Sequence, residues 1–191
     1  VTRSTMPMMG WHPVGQAIIT LDNVRIPQAY LLGQEGKGFA AVMTQFDFTR
    51  PALALQALAL AQLSLEDAIA YAQQRHAFGQ PIGKYQGVSF KIAEDLTLVE
   101  AARLLCYRAL WLREEGLPHS KESAMCKWLG PKVAVRAIHD ALLTHGHVGY
   151  SEEYPLQQRL KDAIGFEIAD GTAEIMKLIV VREAIGKEFA K

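Results

Sequence analysis

Three short stretches of this 191-residue sequence combine side chains that can grip a ligand or move a proton. The first is Arg75-His76-Ala77-Phe78-Gly79-Gln80-Pro81-Ile82, followed by Gln86. A guanidinium meets phosphate oxygens in bidentate fashion, so an arginine, an aromatic ring and an amide around one turn can hold a diphosphate and its neighbouring groups. An arginine in the last turn of a helix, facing the negative end of the macrodipole, accounts for the same pattern. The second stretch is Gly146-His147-Val148-Gly149-Tyr150, whose glycines let a ligand approach the backbone. A helix ending on glycine reads the same way. His145 and His147 diverge at their spacing, and no carboxylate or cysteine completes a ligand set, so no metal is expected. The third stretch is Ala169-Asp170-Gly171-Thr172. Asp170 is there either as the N-cap of the following helix or as a general base beside backbone N–H groups that polarise a carbonyl.

Helices must position all three. Pro51 suits the first turn of a helix, where its missing N–H has no acceptor to lose. From it Leu53, Ala57, Leu60, Ala61, Leu65, Ala68, Ile69 and Ala72 recur at three and four residues, which predicts a helix to about Gln74. A shorter helix is predicted from Gly38 to about Phe46. Ile92, Leu96, Val99, Ala102, Cys106 and Ala109 mark a long helix ending at Glu115, before Gly116 and Pro118. A further helix starts near Ser120, with Met125, Trp128, Leu129, Val133, Ala137, Ile138 and Leu142 inward, and should be kinked or split at Gly130-Pro131. Beyond the glycines come a loop with Pro155, a short helix over 156–164 and a last helix from about Gly171 to Phe189, with Ile175, Leu178, Ile179 and Ile185 toward the core. Only residues 17–24, with Ile18, Ile19, Thr20 and Val24, read as strand. The expected fold is therefore all-α, an up-down helical bundle with a short β remnant at its N-terminus.

Half of the residues are hydrophobic, enough for a core without disulfides or metals. Twenty Lys and Arg balance twenty Asp and Glu, and the basic residues are dispersed, so no field invites nucleic acid. Cys106 and Cys126 have no metal-type spacing and read as reduced, cytoplasmic thiols. No run approaches the ~20 apolar residues of a membrane span, and residues 1–10 lack a secretory pattern. The missing initiator Met leads us to expect a piece of a longer protein.

Taken in order, these segments resemble the acyl-CoA dehydrogenase family over nearly the whole chain. The resemblance rests on Gly33-Gln34-Glu35-Gly36-Lys37-Gly38-Phe39, Phe46-Asp47-Phe48-Thr49-Arg50-Pro51, Arg75 to Ile82 with Gln86, His145 to Tyr150 with Glu153-Tyr154-Pro155, Lys161-Asp162, and Ala169 to Ile175. It implies that residues 1–37 end a middle β domain and that 38–191 form the C-terminal helical domain. It also implies FAD as cofactor, an acyl-CoA substrate, an electron-transfer flavoprotein as acceptor, and a homodimer or homotetramer. By the same resemblance Arg75, Phe78 and Gln86 reach the FAD of a neighbouring subunit, and Gly146, Thr172 and Glu174 lie beside the cofactor. Asp47 and Arg50 match residues near the CoA moiety, and Gly171 matches a substrate contact.

Asp170 stands where most members carry the glutamate that takes the α-proton, and its backbone N–H matches a donor to the thioester oxygen. Thr49 occupies the alternative place for a base, where threonine cannot serve. The carboxylate is one methylene shorter than usual, and Ala169 replaces a bulky aromatic. Both changes imply a wider pocket, better suited to a ring or branched acyl group, such as a cyclohexanecarboxyl thioester, than to a thin straight chain. Leu143 replaces a glutamine and His147 a glycine, altering one part of the cofactor site. Two other readings stand beside this one: an oxidase resembling nitroalkane oxidase, which shares the fold and uses an Asp base, and a non-catalytic helical interaction module.

Overall fold

A computed structural model describes residues 1–190. Four long helices make the bundle: α1 (Gly38–Gln74), α2 (Gln86–Glu114), α3 (Ser120–His145) and α5 (Leu156–Ile168), with the single turn α4 (His147–Tyr150) between the last two and α6 (Ala173–Ala184) closing the chain. Small residues explain the close packing at its centre. Ala54, Ala57 and Ala61 of α1 face Ala134, Ala137 and Gly130 of α3, and a Cβ at Gly130 would lie 2.9 Å from that of Ala54. Leu58, Leu65 and Ile138 fill the space around this seam and are at most 1 % exposed; burying each contributes roughly 1.5–3 kcal/mol.

Where two helices were expected on either side of Pro51, α1 runs unbroken through it. Proline cannot donate to the carbonyl four residues back, which orphans the Asp47 carbonyl. The Ser123 hydroxyl of α3 donates to that oxygen at 2.6 Å, so a neighbouring helix supplies the missing donor. α3 likewise is not split at Gly130-Pro131 but continues to His145. α1 is also long and apolar enough by composition to cross a membrane, contrary to the sequence reading. In the structure it lies against α3, α2 and α5, with its apolar face buried among them.

Other boundaries also move. α5 runs four residues beyond the expected end, to Ile168. α6 spans only 173–184, because Gly186 takes φ +138° and turns the chain into a 3-10 turn over Lys187–Phe189. Its buried residue is Met176, while Ile175, Leu178 and Ile185, expected in the core, are exposed.

The β portion is two hairpins. Strand β2 is shorter than expected, Gln16–Thr20, and pairs antiparallel with β1 (Thr2–Met6), leaving Ile18 and Ile19 exposed. Two strands are marginal alone. Here Trp11 anchors the segment on α5: its N–H donates to Asp162 Oδ1 at 2.7 Å, its Nε1 to the Asp162 carbonyl at 2.8 Å, and its ring packs edge-on to Phe166. The second hairpin, β3 (His76–Ala77) and β4 (Gln80–Pro81), links α1 to α2.

Candidate active site

Helix α5 ends with the Ala169 N–H donating to the Gly165 carbonyl, and the chain then leaves the helical path. Asp170 takes φ +54° and Gly171 φ +108°. A left-handed aspartate is tolerable, but only glycine suits the second position, where a Cβ would also lie 2.7 Å from Met176 Cε. Thr172, not Asp170, occupies the N-cap of α6, and it makes no side-chain cap bond. Capping therefore does not account for Asp170.

The carboxylate instead meets α1. Thr49 Oγ1 donates to Asp170 Oδ2 at 2.9 Å. The two positions that the family resemblance singles out for a base thus converge, one as a carboxylate and the other as its hydrogen-bond donor. Next to Thr49, Arg50 is only 4 % exposed. Its Nη1 pairs with Asp47 Oδ1 at 2.9 Å, its guanidinium lies over the Phe46 ring, and its buried Nε has no acceptor among the described residues. Burial pulls the Arg50 pKa down, against the opposing charges of Asp47 and Asp170. Asp47 is further engaged by Ser120 at the start of α3. Both residues expected near the CoA moiety are thus tied to intrachain partners, and the Arg50 charge faces inward.

Lys127 escaped the sequence reading. It lies 1 % exposed in the middle of α3 and donates to the Phe166 carbonyl at 2.7 Å and the Gly171 carbonyl at 3.2 Å. Burial depresses its pKa and the charge of Asp170 counters that. The signal was a lysine in phase with the inward stripe Ser123, Cys126, Gly130 and Ala134, where a free ammonium would be costly.

The remaining predicted residues lie at two other places. Arg75 follows α1 and, with Gly146, lines a cleft of about 290 Å³ closed by Tyr71, Ile82, His145 and Val148. The Arg75 guanidinium has no intrachain partner among the described residues, and Phe78, at the hairpin tip with φ +50°, is 97 % exposed. The Tyr85 hydroxyl reaches the carbonyls of Ala77 (3.0 Å) and Phe78 (3.3 Å), holding the tip beside Gln86, the first residue of α2. Gly146 takes φ +63° and ψ −139°, close to the glycine-only region, with open space around it. A partnerless guanidinium, an exposed ring and an open glycine turn suit the diphosphate and ring system of a dinucleotide such as FAD. His145 is buried and stacked on Tyr71, whereas His147 and Leu143 are exposed. Thr172 and Glu174 line a separate cleft of about 360 Å³ with Lys127, Trp128 and Lys177.

An up-down bundle that turns one carboxylate out of a helix end, beside a hydroxyl and two buried cations, defines a helical-bundle domain with an acidic turn after α5. The comparisons with known proteins give that class its family. Residues 36–185 match the model of the acyl-CoA dehydrogenase C-terminal domain, and the chain belongs to the acyl-CoA dehydrogenase family. It is 42 % identical over 168 residues to an acyl-CoA dehydrogenase of Bacillus subtilis, covering 88 % of this chain and 44 % of that protein. To the cyclohexane-1-carbonyl-CoA dehydrogenase of Geobacter metallireducens it is 37 % identical over 170 residues, 89 % of this chain and 44 % of the other. The solved butyryl-CoA dehydrogenase of Megasphaera elsdenii superposes with a TM-score of 0.88 at 37 % identity, over 93 % of this chain and 46 % of that one. The chain thus spans less than half the length of each of these relatives.

Proposed function

We propose that this chain is the base-bearing part of an FAD-dependent dehydrogenase that oxidises an acyl-CoA thioester between its α- and β-carbons. The observation that carries the reading is the Thr49 Oγ1 to Asp170 Oδ2 contact of 2.9 Å on a turn where Asp170 has left the helix and serves as no cap. A carboxylate with one oxygen held has the other available for a proton on carbon. FAD, when bound, supplies the hydride acceptor.

The residues of this chain would divide the work. Asp170 removes the α-proton, while its backbone N–H polarises the thioester carbonyl and so acidifies that proton. Gly171 lets the substrate pass close to the backbone. Asp47 and Arg50 form the polar wall behind the base on the CoA side. Arg75, Phe78 and Gln86 hold the diphosphate end of FAD bound mainly by a neighbouring subunit, and Gly146, Thr172 and Glu174 complete the cofactor's surroundings. This requires at least a homodimer; we extend it to a homotetramer, located in the cytoplasm, that passes electrons to an electron-transfer flavoprotein. In that assembly residues 1–37 close a preceding β domain and 38–191 are the helical domain.

Ala169 and the short Asp170 side chain leave room for a cyclic acyl group, and a cyclohexanecarboxyl thioester is the substrate we infer. The likeness to a cyclohexane-1-carbonyl-CoA dehydrogenase supports it. The test uses full-length holoenzyme. Asp170→Asn should abolish anaerobic flavin bleaching by acyl-CoA while leaving FAD bound, and in a panel of straight, branched and cyclic thioesters the cyclic ones should bleach the parent fastest. Near-normal turnover of the variant would overturn the base. Oxygen consumption with nitroalkanes in place of acyl-CoA oxidation would overturn the reaction.

A further inference from the structure

We infer that Lys127 is a positioning residue: by taking the Phe166 carbonyl it frees the Asp170 N–H to polarise the substrate's thioester carbonyl. In a helix the N–H of residue 170 would donate to the carbonyl of residue 166. Here that oxygen receives Lys127 Nζ at 2.7 Å instead. The Ala169 N–H keeps its helical bond to Gly165, so the ladder stops one residue short of Asp170. Among the described residues the Asp170 N–H has no acceptor, backbone or side chain. The same ammonium reaches the Gly171 carbonyl at 3.2 Å, so it grips the chain on both sides of the base and fixes the Gly171–Thr172 peptide.

The arrangement is costly unless it serves a purpose. Lys127 is 1 % exposed, forms no ion pair among the described residues, and spends its charge on two neutral carbonyls. Desolvating an ammonium costs several kcal/mol, and a methionine of similar length would fill the same space without that cost. Letting Asp170 complete the helix would satisfy the Phe166 carbonyl with no buried charge, but would use up the N–H in that bond. The lysine therefore replaces one donor by another and leaves the Asp170 N–H without an acceptor among the described residues, next to a carboxylate held by Thr49. Arg50 adds a second buried cation on the α1 side.

This inference rests on the reading of Asp170 as the base of a thioester dehydrogenase, and the experiment separates the two. Crotonyl-CoA and cyclohex-1-ene-1-carboxyl-CoA, each carrying carbon-13 at the thioester carbonyl, are bound to full-length oxidised holoenzyme, and the carbonyl stretch is read by infrared difference spectroscopy. In the parent the stretch moves to lower frequency than in free thioester. In Lys127→Met that displacement falls by more than half, and kcat drops about 10²-fold, the loss typical of one oxyanion donor. In Asp170→Asn the displacement persists although bleaching is lost. A Lys127→Met protein that folds, binds thioester and keeps the full displacement overturns the role of Lys127 and leaves the base assignment intact. A parent that neither bleaches with acyl-CoA nor displaces either carbonyl overturns the underlying reading. If Lys127→Met does not fold, the parent decides. Its Asp170 amide should exchange freely with solvent deuterium when ligand-free and become protected when thioester binds; an amide already protected without ligand refutes the inference.

Discussion

The hydroxyl of Ser123 does the work that the N–H of residue 51 would do in an ordinary helix, and this exchange can be measured as a coupling energy. Ser123 is 0 % exposed and its Oγ lies 2.6 Å from the Asp47 carbonyl that Pro51 leaves without a helical partner. Ser123→Ala in the parent strands a buried acceptor and should cost about 2 kcal/mol, within the roughly 1–3 kcal/mol range for such groups. Pro51→Ala restores an N–H to the carbonyl and removes an internal proline worth about 3 kcal/mol in propensity, offset by roughly 0.8 kcal/mol for each ring methylene no longer buried. In the Pro51→Ala background, Ser123→Ala should cost only about 0.5–1 kcal/mol, because the carbonyl keeps a donor. The double-mutant cycle, read by urea unfolding of the full-length protein, should therefore show a coupling of about 1–1.5 kcal/mol. Costs of Ser123→Ala that agree within about 0.5 kcal/mol in the two backgrounds would mean the sites are independent, and the account of how α1 survives its proline would be wrong.

Two further outcomes follow from the same structure. Asp95 of α2 is 1 % exposed beside Arg136 and Asp140, and burial, followed by Asp140, raises its pKa from 3.8 to about 6. A folded pKa above the unfolded one makes the Asp95 contribution to stability fully present below about pH 4 and lost as pH rises through about 6. The interval corresponds to up to about 3 kcal/mol, so Asp95→Asn should flatten this slope and stabilise the protein above pH 6 in urea titrations; an unchanged slope would place the charge elsewhere. Gly171→Ala puts a Cβ 2.7 Å from Met176 Cε at φ +108°, so it should destabilise by roughly 1–3 kcal/mol and lower kcat by displacing Asp170, with FAD content unchanged. Wild-type stability and turnover would show that this turn tolerates what its geometry forbids.

Periodicity made the bundle legible because the apolar faces of α1, α2 and α3 are real: Ala57, Ala61, Leu65, Val99, Ala102, Cys106, Ala137 and Ile138 all reach the core. What failed was local. The sequence places a helix start at Pro51 and a kink or split at Gly130-Pro131, yet both helices continue: a serine on the facing helix satisfies one orphaned carbonyl, and close contact with Ala54 requires the glycine. Tertiary partners overrode intrinsic propensity, and no single-segment pattern contains them. α6 failed differently. Its isoleucines at 175 and 185 and Leu178 have the right spacing for a core face, but within this chain that face meets solvent and Met176 alone is buried. At the site, Asp170 is legible in the sequence as either cap or base, and the backbone, which puts Thr172 at the N-cap, removes the cap. Lys127 was passed over because a lysine inside an apolar stripe counts against a helix face rather than for a site.

The two halves of the site differ in how far they depend on this chain. Thr49 holds Asp170, Asp47 holds Arg50 and is itself held by Ser120, and Lys127 holds the Phe166 and Gly171 carbonyls, all by bonds within the bundle. Arg75, Phe78, Gln86 and Gly146 are exposed and meet few intrachain groups. A base must be held within a fraction of an ångström of a carbon acid, so its supports belong inside one rigid core. Residues that grip a large ligand only become ordered against it, and surplus exposure before binding is the expected state of such a surface. Ile18, Ile19, Phe39, Ile175 and Leu178 add apolar area to the same exposed side of the account. On our reading, the chemistry is prepared by the folding of this helical domain, and the cofactor is gripped only when the rest of the polypeptide and a second subunit meet it.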